Sequence, residues 1–291
     1  MSPVFGAIDL GGTKIISACF SPDGDLLHEP VETPTQADST PEEIINNICV
    51  NFEQSLTGCG IGAKDLSHLG LGVPTTIQYE KGLIDASLNL PTMSDFPLGR
   101  LLADRIQVPV VMENDANCFA LGEARYGAAA GCKICCGITL GTGLGLGIVL
   151  EGKLFHGSHF CAGEIWKSWY EGDFLEKQAS GSALVRAYFK QTGAECSGER
   201  IYRKALQAEP AAVNVFRDLG RALGQGLSYL VNILDPEIVV FGGSVADAFD
   251  MFIESLEKEI SHYRIERNAT RFEKSKLGRL APLYGAAFLK G

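Results

Sequence analysis

Residues 4–34 alternate between apolar runs and short turns rich in glycine. The runs at 4–8 and 15–20 are almost wholly apolar, and the segment between them reads DLGGTK. A second turn, SPDG at 21–24, has a proline that sets its first bend and a glycine that takes a positive φ. The pattern predicts strand, turn, strand, turn, strand. It differs from the strand-loop-helix order of Rossmann and Walker-type nucleotide sites.

A helical pattern follows at residues 41–56. Thr40 is the predicted N-cap, Pro41 takes the first position, and Glu42 and Glu43 fall in the first turn. Further strands are predicted at 69–73, 108–113 and 237–241, and further helices at 98–105, 115–126, 182–191, 198–208, 210–234, from 242–244 to 260, and 285–290. Alternating strands and helices predict the α/β class.

The opening pattern returns in the middle of the chain. Residues 8–13 read IDLGGT and residues 138–143 read ITLGTG, and an apolar strand and a glycine turn follow each copy. Self-similarity at a fixed offset predicts two copies of one α/β fold, each beginning with a hairpin. A chance likeness between two glycine turns is the alternative.

Size and charge limit the possible functions. A chain of 291 residues is long enough for two domains, each with its own core. The formal net charge of −10 argues against a nucleic-acid-binding surface, which needs a basic face. There is neither a signal-peptide pattern nor an apolar run long enough for a membrane helix. We therefore expect a soluble protein with no nucleic-acid or membrane partner.

The nine cysteines are scattered through apolar segments. An odd number without a regular spacing fits a reducing compartment better than a disulfide framework, so a cytoplasmic location is expected. Cys132 and Cys135 form one C-x-x-C pair, but no second pair with ligand spacing accompanies it. We interpret them as thiols in or beside a buried strand.

Two segments carry candidate chemistry in the first half of the chain. In the first turn, Gly11 and Gly12 let backbone N–H groups approach an anion, Thr13 and Lys14 suit a triphosphate, and Asp9 suits a metal ion held through water. An ordinary hairpin turn is the alternative. At 113–117 a strand delivers Asp115 to a helix start, where it is either an N-cap or a general base for a sugar hydroxyl.

Three further segments follow. Gly141-Thr142-Gly143 is the repeat partner of the first turn, and the two turns are expected to hold phosphates between them. Gly242-Gly243-Ser244 lies at a strand-to-helix junction, where nucleotide contacts are common. Glu164, Lys167 and Glu176 offer charged groups for sugar hydroxyls, with a solvated charged loop as the alternative.

Together these motifs resemble the ROK family of sugar kinases and repressors, within the actin-like, hexokinase-like ATPase superfamily. The resemblance runs from residue 6 to about residue 288. Its segments are the first phosphate loop at 6–14, the sugar-binding Asn-Leu-Pro at 89–91, the catalytic segment at 111–117, the second phosphate loop at 140–143 and the adenosine segment at 239–244.

The resemblance implies two actin-like (ribonuclease H-like) α/β domains around a central cleft, a smaller one at 1–116 plus about 276–291 and a larger one at 117–275. It implies ATP-dependent phosphorylation of a hexose or hexose derivative at the 6-hydroxyl, with Mg²⁺. Asp115 would be the catalytic base. Sugar contacts are expected from Asn89, Asn114, Asp115, Glu164, Lys167 and Glu176. ATP contacts are expected from Asp9, Gly11, Gly12, Thr13, Lys14, Gly141, Thr142, Gly143, Gly242, Gly243 and Ser244. A homodimer is expected as the commonest oligomer.

One segment departs from the family pattern. The family commonly has Gly-Glu-Ile-Gly-His, whose histidine binds a structural zinc, whereas residues 163–167 read GEIWK. The cysteine-rich loop that follows in the family is absent, and lysine is a poor zinc ligand when protonated. We therefore predict no zinc site, and Lys167 leaves plain glucose specificity open.

Two other functions remain as alternatives. One is a sugar-binding regulatory protein of the same fold that lacks kinase activity. The other is a sugar-responsive repressor, which in this family carries a DNA-binding domain before the kinase-like fold. The first predicted strand begins within five residues of Met1, which disfavours the repressor.

Overall fold

The computed structural model describes residues 3–85 and 89–289. The chain forms two compact units: Met1–Tyr126, His156–Cys161 and Leu280–Gly291 make up the first, and Gly127–Phe155 and Ala162–Arg279 the second. The first unit runs past the expected boundary at residue 116, because the helix that begins there packs on the last helix of the chain. Residues 156–161 also belong to it, which the sequence did not indicate.

The bounds of the described elements are as follows. The strands are β1 (Val4–Leu10), β2 (Lys14–Phe20), β3 (Val31–Pro34), β4 (Leu66–Val73), β5 (Ile77–Gln78), β6 (Leu83–Ile84), β7 (Val110–Asn114), β8 (Ile134–Leu140), β9 (Leu144–Leu150), β10 (Lys153–Leu154), β11 (Trp169–Tyr170), β12 (Asp173–Phe174), β13 (Ile238–Gly242) and β14 (Arg271–Lys274). The helices are α1 (Pro41–Cys59), α2 (Leu98–Ile106), α3 (Asp115–Tyr126), α4 (Gly181–Thr192), α5 (Gly198–Leu206), α6 (Pro210–Leu234), α7 (Phe249–Ser261) and α8 (Ala281–Ala287).

The two units contain sheets of the same topology. The strand order is β3-β2-β1-β4-β7 in the first and β10-β9-β8-β13-β14 in the second. In each sheet the first three strands along the chain pair antiparallel to one another. The remaining two strands lie parallel to the first strand, on its other side. The predicted internal repeat is therefore confirmed as a duplicated five-stranded sheet.

Helix α1 begins where the sequence predicts. The side chain of Thr40 accepts a hydrogen bond from the Glu43 N–H at 3.3 Å, and Glu43 Oε2 accepts one from the Thr40 N–H at 2.9 Å. This reciprocal pair is a capping box, which satisfies two N–H groups that a helix start leaves unpaired. The helix ends at Cys59, past the predicted end at residue 56, and is capped by Gly60, whose φ of 67° is left-handed.

The predicted bounds of the other helices agree with the structure to different degrees. The bounds of α3 and α6 match the predicted 115–126 and 210–234. The closing helix was predicted at 285–290, but α8 begins earlier, at Ala281, with a proline in its first turn. Residue 290 lies outside the described residues. After Gly243 the chain makes a 3-10 turn before α7 begins, so the predicted single helix is interrupted.

Each unit has its own hydrophobic core. In the first, α1 packs on the sheet through side chains such as Ile48 and Phe52. In the second, α6 and α7 cover the sheet, and Phe241 packs against Phe252. No helix within the described residues combines the length and the apolar character that crossing a membrane requires.

Candidate active site

The carboxyl ends of three neighbouring parallel strands place polar residues side by side. Asp9 on β1 pairs with Gly72 on β4, and Gly72 pairs with Glu113 on β7. Asp115 follows β7 directly, as the first residue of α3. A Cβ at Gly72 would lie 3.8 Å from Asp9 Oδ1 and 3.5 Å from the sulfur of Cys118 on α3. Gly72 therefore lies between Asp9 and the first turn of α3 at one sheet edge.

Asp115 is close enough to Asp9 to affect the ionisation of Asp9. Burial, with a smaller contribution from the charge of Asp115, raises the pKa of Asp9 to about 7, although Lys14 acts in the opposite direction. Two carboxylates held near each other in a partly buried edge are stabilised by a cation. Hard divalent ions such as Mg²⁺ prefer oxygen ligands. The residues present therefore fit a magnesium ion at Asp9.

Asn114 is the N-cap of α3. Its Oδ1 accepts hydrogen bonds from the Ala116 N–H at 2.9 Å and the Asn117 N–H at 3.2 Å, while its Nδ2 donates to the Thr75 carbonyl at 3.3 Å. The N-cap alternative for Asp115 is therefore wrong, because the neighbouring residue takes that position. Asp115 Oδ1 does accept a bond from the Ala116 N–H at 2.8 Å.

The first glycine turn and the Asn-Leu-Pro segment lie against each other. Gly11 N–H donates to the Lys14 carbonyl at 2.9 Å, and Thr35 Oγ1 donates to the Gly11 carbonyl at 2.6 Å. A Cβ at Gly12 would come within 2.9 Å of the Asn89 carbonyl oxygen, so only glycine leaves room for that backbone. The structure thus brings Asn89, predicted to contact sugar, to the turn predicted to contact phosphate.

Lys14 lies at the start of β2 and forms an exposed ion pair with Glu32, with Nζ 3.1 Å from the carboxylate oxygen. Exposed pairs of this kind are weak, typically about 0–1 kcal/mol. The lysine can therefore exchange this partner for a more highly charged anion at little cost.

In the second unit, the other two glycine segments meet at the edge of the second sheet. Gly242 pairs with Thr139, which places residues 242–244 beside the turn that Gly141 begins. Gly243 has a φ of 83°, and a Cβ there would lie 2.4 Å from the Leu140 carbonyl oxygen. The Gly181 N–H, at the start of α4, donates to the Gly141 carbonyl at 2.7 Å.

Glu176 lies beside this second glycine turn. Its Oε2 accepts a hydrogen bond from the Leu144 N–H at 3.0 Å, and a Cβ on Gly143 would clash with the same oxygen. The sequence predicts a sugar contact for Glu176. The structure shows a carboxylate that also fixes the turn predicted to bind phosphate.

Glu164 and Lys167 are joined by a residue that the sequence analysis did not assign a role. The indole N–H of Trp166 donates a hydrogen bond to the Glu164 carboxylate. Lys167 Nζ lies 4.9 Å from the centroid of the Trp166 ring, in cation–π geometry. The 3-10 turn Ile165–Lys167 brings these three side chains together.

A buried network around Glu113 was missed from the sequence. Tyr79 OH donates to Glu113 Oε1, as do the Asn117 side chain at 2.9 Å and the Asn114 N–H at 2.8 Å. His156 Nε2 lies 2.7 Å from Oε2. Tyr79 and His156 are 34 and 43 residues from Glu113 along the chain, and no local pattern links them. The available signal in the sequence was the glutamate two residues before Asp115, the predicted base.

The ionisation of this pair follows from its contacts. Burial alone raises the pKa of Glu113, but the hydrogen bonds from His156, Tyr79 and Asn117 outweigh it and bring the pKa below its usual value. The hydrogen bond to Glu113 raises the pKa of His156. Both shifts favour a charged pair.

The residues around Lys167 do not fit zinc. The lysine ammonium lies over the Trp166 ring, and the ring is not a metal ligand. Across residues 3–85 and 89–289, no three histidine, cysteine, aspartate or glutamate side chains are grouped so that they would hold a metal ion. The absence of a zinc site stays a prediction.

The chain is similar to known sugar kinases over nearly its whole length. Residues 5–290 match the ROK family model. A glucokinase from Streptomyces coelicolor is 32% identical over 97% of this chain and 96% of its own length. An N-acetyl-D-glucosamine kinase from Mannheimia succiniciproducens is 27% identical over 97% of each chain. A crystal structure of a ROK family glucokinase from Streptomyces griseus, in complex with glucose and AMPPNP, is 29% identical, with a TM-score of 0.84 and coverage of 98% of each chain.

A family match of this extent, together with two sheets of one topology, defines the class of protein. The chain belongs to the ROK family. The family and the α/β fold class predicted from the sequence are confirmed.

Proposed function

We propose that the chain transfers the γ-phosphoryl group of ATP to the 6-hydroxyl of a hexose or hexose derivative. The chain is an ATP-dependent sugar kinase, as its full-length similarity to glucokinases and to a glucokinase complex with an ATP analogue indicates. The observation that carries the proposal is the placement of Asp9, Asn89 and Asp115 around one sheet edge and the first glycine turn.

Asp115 is the proposed general base. It lies at the N-terminus of α3, where the helix dipole favours a negative charge. In the proposed reaction its carboxylate accepts the proton of the sugar hydroxyl while that oxygen forms a bond to the γ-phosphorus. The bond between this phosphorus and the β–γ bridging oxygen breaks, and ADP leaves. Phosphoryl transfer depends mainly on positioning and charge neutralisation, so one well-placed carboxylate is sufficient.

The nucleotide contacts are proposed for the two glycine turns and the Gly242-Gly243-Ser244 segment. Backbone N–H groups at Gly11, Gly12 and Thr13, together with Lys14, suit phosphate oxygens. Gly141, Thr142 and Gly143 offer the same kind of surface. Asp9 is proposed to hold Mg²⁺ through water. The bound ion would neutralise charge that develops on the phosphate oxygens.

The sugar contacts are proposed for Asn89, Asn114, Glu164, Lys167 and Glu176. Carboxylate and amide groups accept or donate pairs of hydrogen bonds to vicinal hydroxyls. Lys167 only donates hydrogen bonds, so it would read an acceptor oxygen on the sugar. This is the position at which discrimination between plain hexoses and N-acetyl or other derivatives is proposed to arise.

We also propose a cytoplasmic location and a homodimer. The first is supported by the free state of all nine cysteines, which suits a reducing compartment. The second rests on the general prevalence of twofold-symmetric oligomers.

The test of the proposed reaction is ADP release by purified protein with MgATP and a sugar panel. The panel contains glucose, N-acetylglucosamine, N-acetylmannosamine, mannose, fructose, allose and β-glucosides, and ³¹P NMR of the product locates the phosphate. We expect strong turnover on one sugar and a 6-phosphate product. Sugar binding without turnover on any member would instead support a regulatory protein of the same fold.

A further inference from the structure

The carboxylate of Glu113 is buried beside the proposed base. Its side chain is 4% exposed, and it stands two residues before Asp115. Burying a carboxylate is costly unless hydrogen bonds and an opposite charge compensate for it. Here Tyr79, Asn117 and the Asn114 backbone donate to Oε1, and His156 is paired with Oε2.

These bonds fix the junction between β7 and α3. Glu113 accepts from the backbone N–H of Asn114, whose side chain caps the helix. It also accepts from the side chain of Asn117, in the first helical turn. The Glu113 carboxylate therefore fixes the last residue of β7 relative to the first turn of α3, and Asp115 lies between the two.

His156 and Tyr79 reach this junction from other parts of the chain. His156 begins the segment His156–Cys161, which packs in the first unit although the chain on both sides of it belongs to the second. In the same segment, Phe160 stacks on Tyr79 with ring centroids 4.5 Å apart. The rings of Tyr79 and His156 are 5.4 Å apart. Phe160 therefore packs on both of the rings whose polar atoms contact Glu113.

A second observation places Glu113 near the reacting groups. Burial raises the pKa of Cys118 well above its usual value, and the charges of Glu113, Asp9 and Asp115 raise it further. Three carboxylates thus lie near one buried thiol. His156 supplies a positive charge next to one of them.

We propose that His156 and Tyr79 are positioning residues for phosphoryl transfer, which hold Asp115 in place through the carboxylate of Glu113. This inference rests on the proposed role of Asp115 as the base. Neither residue needs to touch the sugar or ATP, because both act on the backbone and helix cap that carry the base. Small misplacements of a reacting group reduce turnover strongly, by about 10²-fold per Å.

The test compares His156→Gln and Tyr79→Phe with a matched control, His68→Gln. His68 is another half-buried histidine of the first unit, and its Nε2 contacts the Ala287 carbonyl at 2.9 Å. We expect kcat to fall by about tenfold or more in His156→Gln and less in Tyr79→Phe, with the KM for ATP nearly unchanged. His68→Gln should keep the wild-type kcat.

Amide hydrogen exchange provides a readout that does not require activity. The N–H groups of Asn114, Ala116 and Asn117 all donate within this junction. They should exchange about tenfold faster in both variants than in the control, since local opening becomes easier. Tyr79→Phe removes one hydroxyl and keeps the ring, so it remains informative if His156→Gln folds poorly.

The outcomes separate the two claims. An active wild type with unchanged kcat in His156→Gln and Tyr79→Phe would overturn the positioning role. A wild type that phosphorylates no sugar would refute the proposed function. In that case amide hydrogen exchange still tests whether His156 and Tyr79 hold the junction between β7 and α3. Unchanged protection of the three amides in both variants would overturn that role.

Discussion

At the scale of single residues, Asp9 has a carboxyl pKa well above the usual value for aspartate. Burial, together with the nearby charge of Asp115, raises its pKa from 3.8 to about 7. The folded, ligand-free protein therefore holds a proton that the unfolded chain releases. The resulting contribution to stability is fully present below about pH 4 and is lost as the pH rises through about 7.

Replacing Asp9 by asparagine should remove this pH dependence. We expect the thermal midpoint of ligand-free Asp9→Asn to exceed that of the wild type clearly at pH 8 and by much less at pH 5, because asparagine resembles the protonated carboxyl and the loss of stability develops between about pH 4 and pH 7. Near-ultraviolet circular dichroism on heating measures both. About 1 kcal/mol corresponds to roughly 2–4 °C in proteins of this size.

Asp23→Asn is the control for this measurement, since Asp23 is exposed in the turn at 21–24. It should shift the midpoint little at either pH. An Asp9→Asn midpoint that differs from the wild type equally at pH 5 and pH 8 would show that the carboxyl is not protonated in the folded state.

At the scale of elements, the 3-10 turn Ile165–Lys167 carries a contact that the sequence did not reveal. The indole of Trp166 donates to Glu164, a proposed sugar ligand, and its ring lies at 6.5 Å from that of Phe174 on β12. The partly buried tryptophan packs on the core of the second unit. It therefore connects a proposed ligand to a stable part of the fold.

Trp166→Phe keeps an aromatic ring and removes the N–H. An acceptor left without its donor costs about 1–3 kcal/mol when buried, so we expect the KM for sugar to rise about tenfold. The KM for ATP and kcat should change little. The measurement is steady-state kinetics on the sugar that the wild type prefers.

Trp169→Phe is the matched control, because Trp169 is 71% exposed and contacts Phe174 through its ring edge. Its KM for sugar should stay at the wild-type value. If Trp166→Phe raised the KM for sugar no more than Trp169→Phe, the indole would not be what positions Glu164.

The elements also show what the sequence could predict. Strong local signals predicted the correct bounds of two helices. Helix α3 begins directly after a strand, and α6 begins at Pro210 and ends at the residue before Asp235. The sequence pattern did not predict the helix ends that depend on backbone conformation or on packing against distant elements. The C-terminus of α1 depends on the left-handed Gly60, and the early start of α8 depends on its packing against α3.

At the scale of the whole molecule, one short repeat was enough to predict a duplicated fold. Residues 8–13 and 138–143 lie at the same place in two sheets with the same strand order and directions. The turns carry such a signal because a Cβ at Gly12 or at Gly143 would come closer than 3.0 Å to a neighbouring residue. The equivalence of the remaining strands has no counterpart in the sequence pattern, since any apolar strand satisfies a buried sheet.

Candidate site residues could be proposed from the sequence where a motif is contiguous, and not where distant segments meet. The motifs at 9–14 and 113–117 are continuous in sequence. The network of Glu113, Tyr79 and His156 joins three segments, and the placement of 156–161 in the first unit depends on ring packing and a buried ion pair. Such long-range contacts leave no periodic trace along the chain.

The central claim is that Asp115 is the base of a sugar kinase, and its most direct test is the turnover of Asp115→Asn. Asparagine keeps the size of the side chain and removes its capacity to accept the hydroxyl proton. Asp104→Asn, at an exposed position of α2, is the matched control.

The measurement is sugar-dependent ADP release at saturating MgATP, with ATP affinity determined in parallel. The account predicts that Asp115→Asn loses about 10²–10⁴-fold in kcat while its ATP affinity stays near that of the wild type, and that Asp104→Asn remains fully active. A kcat of Asp115→Asn within about tenfold of the wild type would contradict the assignment, because general-base catalysis is worth more than that.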